Sequence, residues 1–298
     1  DPKTGLLTSD TLTDALKRGG SDVRAVFPVH LNGQTADMTA MTAVEGAADL
    51  AFVEDSCHAL GGMQTTSGGT PAPVGCCADS AMTVFSLHPV KVVAMGEGGA
   101  ITTNDSLLND RIRRLRNIGM VREPDAFQVP IQAFDSEGEA NPWYYEMPEL
   151  GFNYRASAIH CALGLSQLSK LERFVATRNR LLGRYRNALA ALSPLVEPLP
   201  VASNLETGWH LCVVHIDFES ADTDRATVMN KLRENSIGTQ VHYLPVHRQP
   251  YYRDRYGELS LPGADAYYES VLTLPLFVGM EDQDVDRVVA ALGEALGA

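Results

Sequence analysis

The stretch MTVFSLHPVKVVAMGEGGAITTND (82–105) decides the fold. It opens as a β-branched and aromatic run that ends on His88, turns at Pro89, and resumes as GAITT (99–103) after the flexible GEGGA (96–100). Two upstream runs follow the same plan: RAVFPVH (24–30) ends on His30 and LAFVED (50–55) ends on Asp55, with helical stretches between. Strands alternating with helices predict an α/β sheet. In open α/β sheets functional side chains gather beyond the carboxyl ends of the strands, so His30, Asp55 and His88 are expected along one edge. GEGGA lacks the GxGxxG order and leads into a strand, so it reads as a turn and not as a nucleotide loop.

Downstream, Ile159, Leu163, Leu168, Leu171, Phe174, Leu181 and Tyr185 recur at largely helical spacing, with no proline before Pro194. The spacing predicts one long helix over about 156–191, bent or straight. HLCVVHIDF (210–218) then reads as a strand, DRATVMNKLRENSI (224–237) as an amphipathic helix and EDQDVDRVVAALGEAL (281–296) as a closing helix, together a small α+β unit. Residues 121–150, with four prolines and the aromatic cluster Trp143, Tyr144 and Tyr145, read as an irregular loop.

The 298 residues, 45% hydrophobic and 20% charged, suffice for one large domain or two ordinary ones and argue against a disordered chain. No apolar run approaches the roughly 20 residues of a membrane-spanning helix. The start DPKTGLLTSD lacks a secretion signal, so a cytoplasmic protein is expected. A formal charge of −13, with no basic stripe, argues against nucleic-acid binding. The five cysteines form no disulfide framework, and Cys57, His58, Cys76 and Cys77 match no ordinary metal spacing. No metal is expected.

A lysine beyond a buried strand can form a Schiff base with a carbonyl cofactor when its surroundings lower its pKa. Lys91 is so placed, although alone it would read as a solvated surface lysine. A pyridoxal ring withdraws electrons best when an aspartate keeps its nitrogen protonated. Asp55 is a candidate, although a turn or helix-cap aspartate looks the same, and His58 lies three residues later.

Several motifs, in order along nearly the whole chain, resemble the DegT/DnrJ/EryC1/StrS family of sugar aminotransferases. They are VFPVHLNGQTADM (26–38), FVEDSCHALGG (52–62), FSLHPVKVVAMGEGGAITTND (85–105), LRNIGM (115–120), ELGFNYRASAIHCALGLSQLSKLERF (149–174), QVHYLPVHRQPYY (240–252) and SVLTLPLF (270–277). The resemblance implies fold type I of the pyridoxal-phosphate enzymes, the aspartate-aminotransferase-like α/β architecture. It comprises a large domain over 1–175 with a mixed, mostly parallel sheet and a small C-terminal α+β domain over 176–298. It implies pyridoxal 5'-phosphate as cofactor, Lys91 as the Schiff-base lysine, Asp55 as the partner of the pyridinium, His58 as a ring contact and Ser86 as a phosphate ligand. Asn153 matches an asparagine donated to the phosphate in the neighbouring subunit, which implies a homodimer with shared active sites. Arg155, Gln240, His242, Tyr243 and His247 are weaker candidates for substrate contact; an arginine opening a helix also makes structural pairs, and the 240–252 stretch could simply pack.

Family members carry an N-terminal segment with a Ser/Gly-Thr-Ala phosphate loop at a helix N-terminus. This chain starts without methionine beyond that loop, so an N-terminally incomplete large domain is expected. Substrates would be an amino acid, glutamate, and a nucleotide-linked keto-deoxysugar; the branch that aminates UDP-4-keto-6-deoxy-N-acetyl-L-altrosamine toward pseudaminic acid resembles the 240–252 stretch most. The alternatives are another NDP-sugar aminotransferase, including one for dTDP sugars, and a non-catalytic regulatory homologue. Lys91 argues against the dehydratase branch, which replaces that lysine.

Overall fold

A computed structural model describes residues 1–201 and 206–298. The first half runs α1 (Ser9–Gly19), β1 (Ala25–Val26), α2 (Met38–Thr42), β2 (Ala51–Asp55), β3 (Met63–Thr65), β4 (Pro71–Pro73), β5 (Met82–Ser86) and β6 (Gly99–Thr102). Helices α3 (Ser106–Leu115), α4 (Pro130–Ala133), α5 (Ala158–Leu168) and α6 (Leu171–Leu189) follow. The chain closes with β7 (Val196–Pro198), β8 (Cys212–Ile216), α7 (Arg225–Glu234), α8 (Pro250–Tyr256), α9 (Pro262–Ser270), β9 (Val271–Leu274) and α10 (Asp282–Leu296).

The first sheet has the order β1-β2-β5-β6, with β1, β2 and β5 parallel and β6 antiparallel on the edge. The carboxyl ends of the three parallel strands therefore share one edge, as the strand endings predicted. β1 pairs over only two residues because Pro28 has no amide proton to give to the ladder. Contact resumes beyond it, where Asp55 N donates to Pro28 O and His30 N to Asp55 O, both at 2.9 Å. Leu12, Met38 and Met41 from α1 and α2 cover this part of the sheet and pack with Val26 and Phe52.

The second sheet, β7-β8-β9, is antiparallel. Its inner face carries Cys212, Val214, Ile216, Leu272 and Leu274, which pack against α6, α7 and α10 through Leu181, Tyr185, Leu232, Val285 and Leu292. The single helix expected over 156–191 divides at Ser169 and Lys170 into α5 and α6. Leu168 and Leu171 keep helical spacing across the break, so the sequence gives no sign of it. The change is in what the two helices bury: α6 sinks Val175, Leu181 and Leu189, whereas Ile159, Leu163, Leu165 and Leu168 of α5 stay exposed on this chain. Among the described residues no helix is long and apolar enough to cross a membrane.

Three glycines bring distant segments into backbone contact. Gly33, with φ at +108°, lies where a Cβ would stand 2.5 Å from Gly208 O, and a Cβ on Gly208 would stand 2.7 Å from Gly62 N. No side chain fits at this crossing, which joins the turn after β1, the turn after β2 and the approach to β8.

Candidate active site

Alternation along β2 separates two neighbouring carboxylates. Glu54 enters the interior, where it accepts hydrogen bonds from His30 Nε2 at 2.8 Å, from Thr83 Oγ1 at 3.1 Å and from the Ser80 hydroxyl. Both Glu54 and His30 are fully buried. His30 Nδ1 accepts the Ala36 amide at 3.0 Å, so the ring proton lies on Nε2 and His30 is the donor to Glu54. Asp55 turns toward a cleft, and its Oδ1 accepts the Cys57 amide at 3.0 Å.

The cleft encloses about 920 Å³, and Asp55, Cys57, His58, Lys91 and Tyr243 line it together with the apolar Phe27, Val29 and Leu31. Lys91 is presented by a turn in which its own amide donates to His88 O and Met95 N donates to Leu87 O. Val92, Val93 and Met95 anchor that turn in the interior, leaving Lys91 half-buried at the cleft wall. Burial lowers the Lys91 ammonium pKa below the ordinary lysine range, although the Asp55 carboxylate pulls it upward. A larger share of neutral amine at a given pH is the condition for imine chemistry. Cys57 beside it is driven by burial, and then by Asp55, up to about 12 and remains a thiol.

His58 sits behind this wall, buried, with its ring 4.7 Å from that of buried His210. Its Nδ1 accepts the Asn32 amide at 3.3 Å, and its Nε2 lies 3.2 Å from Tyr243 Oη. Burial, with the nearby Lys91 charge, lowers His58 to about 4; burial and then His58 lower His210 to about 2. Both rings are neutral in the folded protein, while in the unfolded chain they take up protons below about pH 6.5. Stability from these rings is complete above that value and is expected to fall, by about 1.4 kcal/mol per pH unit and per ring, as the pH drops toward 4. Urea titrations of wild type and His58→Gln between pH 7 and pH 4 check this. Equal slopes in the two proteins would remove His58 from the account.

The other candidates lie in different surroundings. Ser86 ends β5, and its hydroxyl accepts the His88 amide at 3.4 Å. His242 Nδ1 is 2.8 Å from Thr273 Oγ1, and the backbone of Gln240 bridges to Thr273 while its side chain accepts the Val241 amide. His247 is buried against Asp265, 3.0 Å from its Oδ1, and Arg248 shares that carboxylate. Asn153 bridges to Asn117, and its carboxamide oxygen accepts from Arg155 Nη2 at 3.0 Å. Both are exposed, and Arg155 lines a separate cavity of about 550 Å³ with Arg113, Arg114 and Arg116. Within one chain, then, Asp55, His58, Lys91 and Tyr243 meet, whereas Asn153, Arg155 and His247 do not join them. Asn32 and His210 had no signal of their own in the sequence; both reach His58 only through the fold.

The sequence profile of the DegT/DnrJ/EryC1/StrS aminotransferase family matches residues 1–293. The chain belongs to this family. It is 36% identical over 272 residues to the spore coat polysaccharide biosynthesis protein SpsC of Bacillus subtilis, covering 90% of this chain and 66% of SpsC. The solved structure of Helicobacter pylori PseC, an aminotransferase involved in the biosynthesis of pseudoaminic acid, superposes with a TM-score of 0.84 at 22% identity, over 98% of this chain and 71% of PseC. The PLP-form of Spr1654 from Streptococcus pneumoniae superposes with a TM-score of 0.81 at 21% identity, over 100% of this chain and 73% of that one. The DegT/DnrJ/EryC1/StrS chain thus spans about two thirds of the length of SpsC, and its fold is type I of the pyridoxal-phosphate enzymes.

Proposed function

We propose that the complete protein is a pyridoxal-phosphate-dependent aminotransferase acting on a nucleotide-linked keto-deoxysugar. The observation that carries this is the meeting of Lys91, Asp55, His58 and Tyr243 in one cleft of a chain belonging to an aminotransferase family. The donor set fits the cofactor: an amine with a lowered pKa, a carboxylate in the same cleft and a neutral imidazole, beside apolar side chains. When bound, pyridoxal phosphate would supply an electron-withdrawing ring that holds the negative charge developing at the substrate carbon. Lys91 would attach it and, once displaced by the donor amine, carry the proton at Nζ between substrate and cofactor carbons. Asp55 would hold the ring nitrogen protonated, and His58 would pack beside the ring. The Ser86 hydroxyl is proposed for the phosphate.

Asn153 is exposed on its own chain and does not line the cleft, in keeping with a role toward a partner's cofactor phosphate in a homodimer. Asn153→Ala is expected to weaken cofactor retention about tenfold, the worth of a hydrogen bond to a charged group. Equilibrium dialysis measures it, and unchanged affinity would count against a shared site.

Glutamate is the proposed donor and UDP-4-keto-6-deoxy-N-acetyl-L-altrosamine the proposed acceptor, supported by the 240–252 stretch and by the fold shared with PseC. Another 4-keto sugar nucleotide fits the likeness to SpsC equally well. The test offers the complete enzyme UDP- and dTDP-linked 4-keto and 3-keto deoxysugars with glutamate and weighs the products by mass spectrometry. Preference for a 3-keto or a dTDP-linked sugar would overturn the altrosamine assignment, and no amino transfer to any of them would overturn the class.

A further inference from the structure

Asn32 belongs to none of the proposed catalytic roles, yet it is fully buried and held in a left-handed conformation, with φ at 65°. Three segments fix it. Its amide Nδ2 donates to Tyr267 Oη at 2.8 Å, and its carbonyl accepts from His210 N at 2.9 Å and Leu211 N at 3.2 Å. With both ends of the residue pinned, the direction of its own backbone N–H is set, and that N–H meets His58 Nδ1.

We propose that the Asn32 amide fixes His58 as its Nε2–H tautomer, so that His58 donates to Tyr243 and the Tyr243 phenolic proton is left to donate to an acceptor oxygen of the sugar substrate. The logic is a proton inventory. A ring nitrogen that accepts an amide proton carries none, so the single proton of a neutral imidazole is on Nε2. Nε2 lies 3.2 Å from Tyr243 Oη, which therefore accepts. A phenol has one proton, and with its oxygen already accepting, that proton is available to the cleft that Tyr243 lines. The His58 ring is buried and lies 4.7 Å from that of His210 in this orientation. Lys91, Asp55, His210, His242 and Tyr243 face it, and burial together with Lys91 keeps it uncharged at neutral pH. The Tyr243 phenol is in turn kept protonated by burial and by Asp55. Asn32 and His58 are positioning residues in this scheme, and Tyr243 selects an acceptor oxygen over a donor.

The last link rests on the proposed aminotransferase reading; the tautomer does not. Long-range proton–nitrogen spectra of the full-length protein labelled in its histidine rings decide the tautomer, with the His58 signals assigned by their loss in His58→Gln. A protonated Nε2 and a bare Nδ1 at pH 7 are expected. A proton on Nδ1, or on both nitrogens, overturns the proposal. In kinetics, Tyr243→Phe is expected to raise KM for the keto-sugar nucleotide about tenfold, one neutral hydrogen bond, with KM for glutamate and the His58 tautomer unchanged. An unchanged sugar KM, or an equal rise for glutamate, overturns the selecting role. Should the wild type aminate no sugar at all, the proposed function fails on its own, and the spectra still decide the tautomer.

Discussion

Lys91→Ala is expected to abolish amino transfer, with a loss of about four orders of magnitude or more, because the same side chain would attach the cofactor and move the proton. The fold should survive. Lys91 is half-buried at a cleft wall, and a lysine whose pKa is lowered on folding stabilises nothing by its charge, so the melting temperature should not drop. The complete wild-type protein loaded with pyridoxal phosphate and reduced with borohydride should carry the label on Lys91, as mapped by peptide mass, and the variant should carry none. A label on another lysine, or full turnover by Lys91→Ala, would sink the assignment.

Glu54→Leu is expected to cost about 3–5 kcal/mol of stability, since it strands the buried proton on His30 Nε2 and the hydroxyls of Ser80 and Thr83 without their acceptor. Burial pushes the Glu54 carboxyl upward, but the hydrogen bonds from His30, Ser80 and Thr83 win and hold it below the usual carboxylate range. The sign follows: this stability is fully present above the unfolded pKa near 4.3 and is lost as the pH falls through the folded value. Urea unfolding at pH 7 should show the full gap between wild type and variant, and at acid pH the gap should narrow. A gap under about 1 kcal/mol at pH 7 would show that the cluster does not anchor β2.

That Asp55, His58 and Lys91 lie together in one cleft was legible because each ends or follows a strand whose alternation and length are local properties, and parallel strands bring such endings to one edge. Glu54 was not: one residue from Asp55 on the same strand, it looks equally acidic, and only the partner strand β5 with Thr83 shows which of the two is interior. The place of the break between α5 and α6 was not legible because periodicity records spacing and not what covers each face. Asn32 and His210 are 178 positions apart, and their joining depends on a long-range crossing that no local pattern encodes. His247 reads as a sugar contact by type, and no local pattern announces Asp265, which the fold places 3.0 Å from its ring.

The crossing of Gly33, Gly62 and Gly208 acts as a gauge block for the cleft. Backbone rests on backbone there, so the spacing between the turn that carries His58 and the segment that delivers His210 has no adjustable padding. A methyl group at Gly208 would be a wedge, and the displacement would travel two residues to His210 and across the ring contact to His58. Any change in the shape of the cleft must therefore come from side chains facing the cavity, such as Tyr243, because its breadth at this point cannot be tuned in small steps.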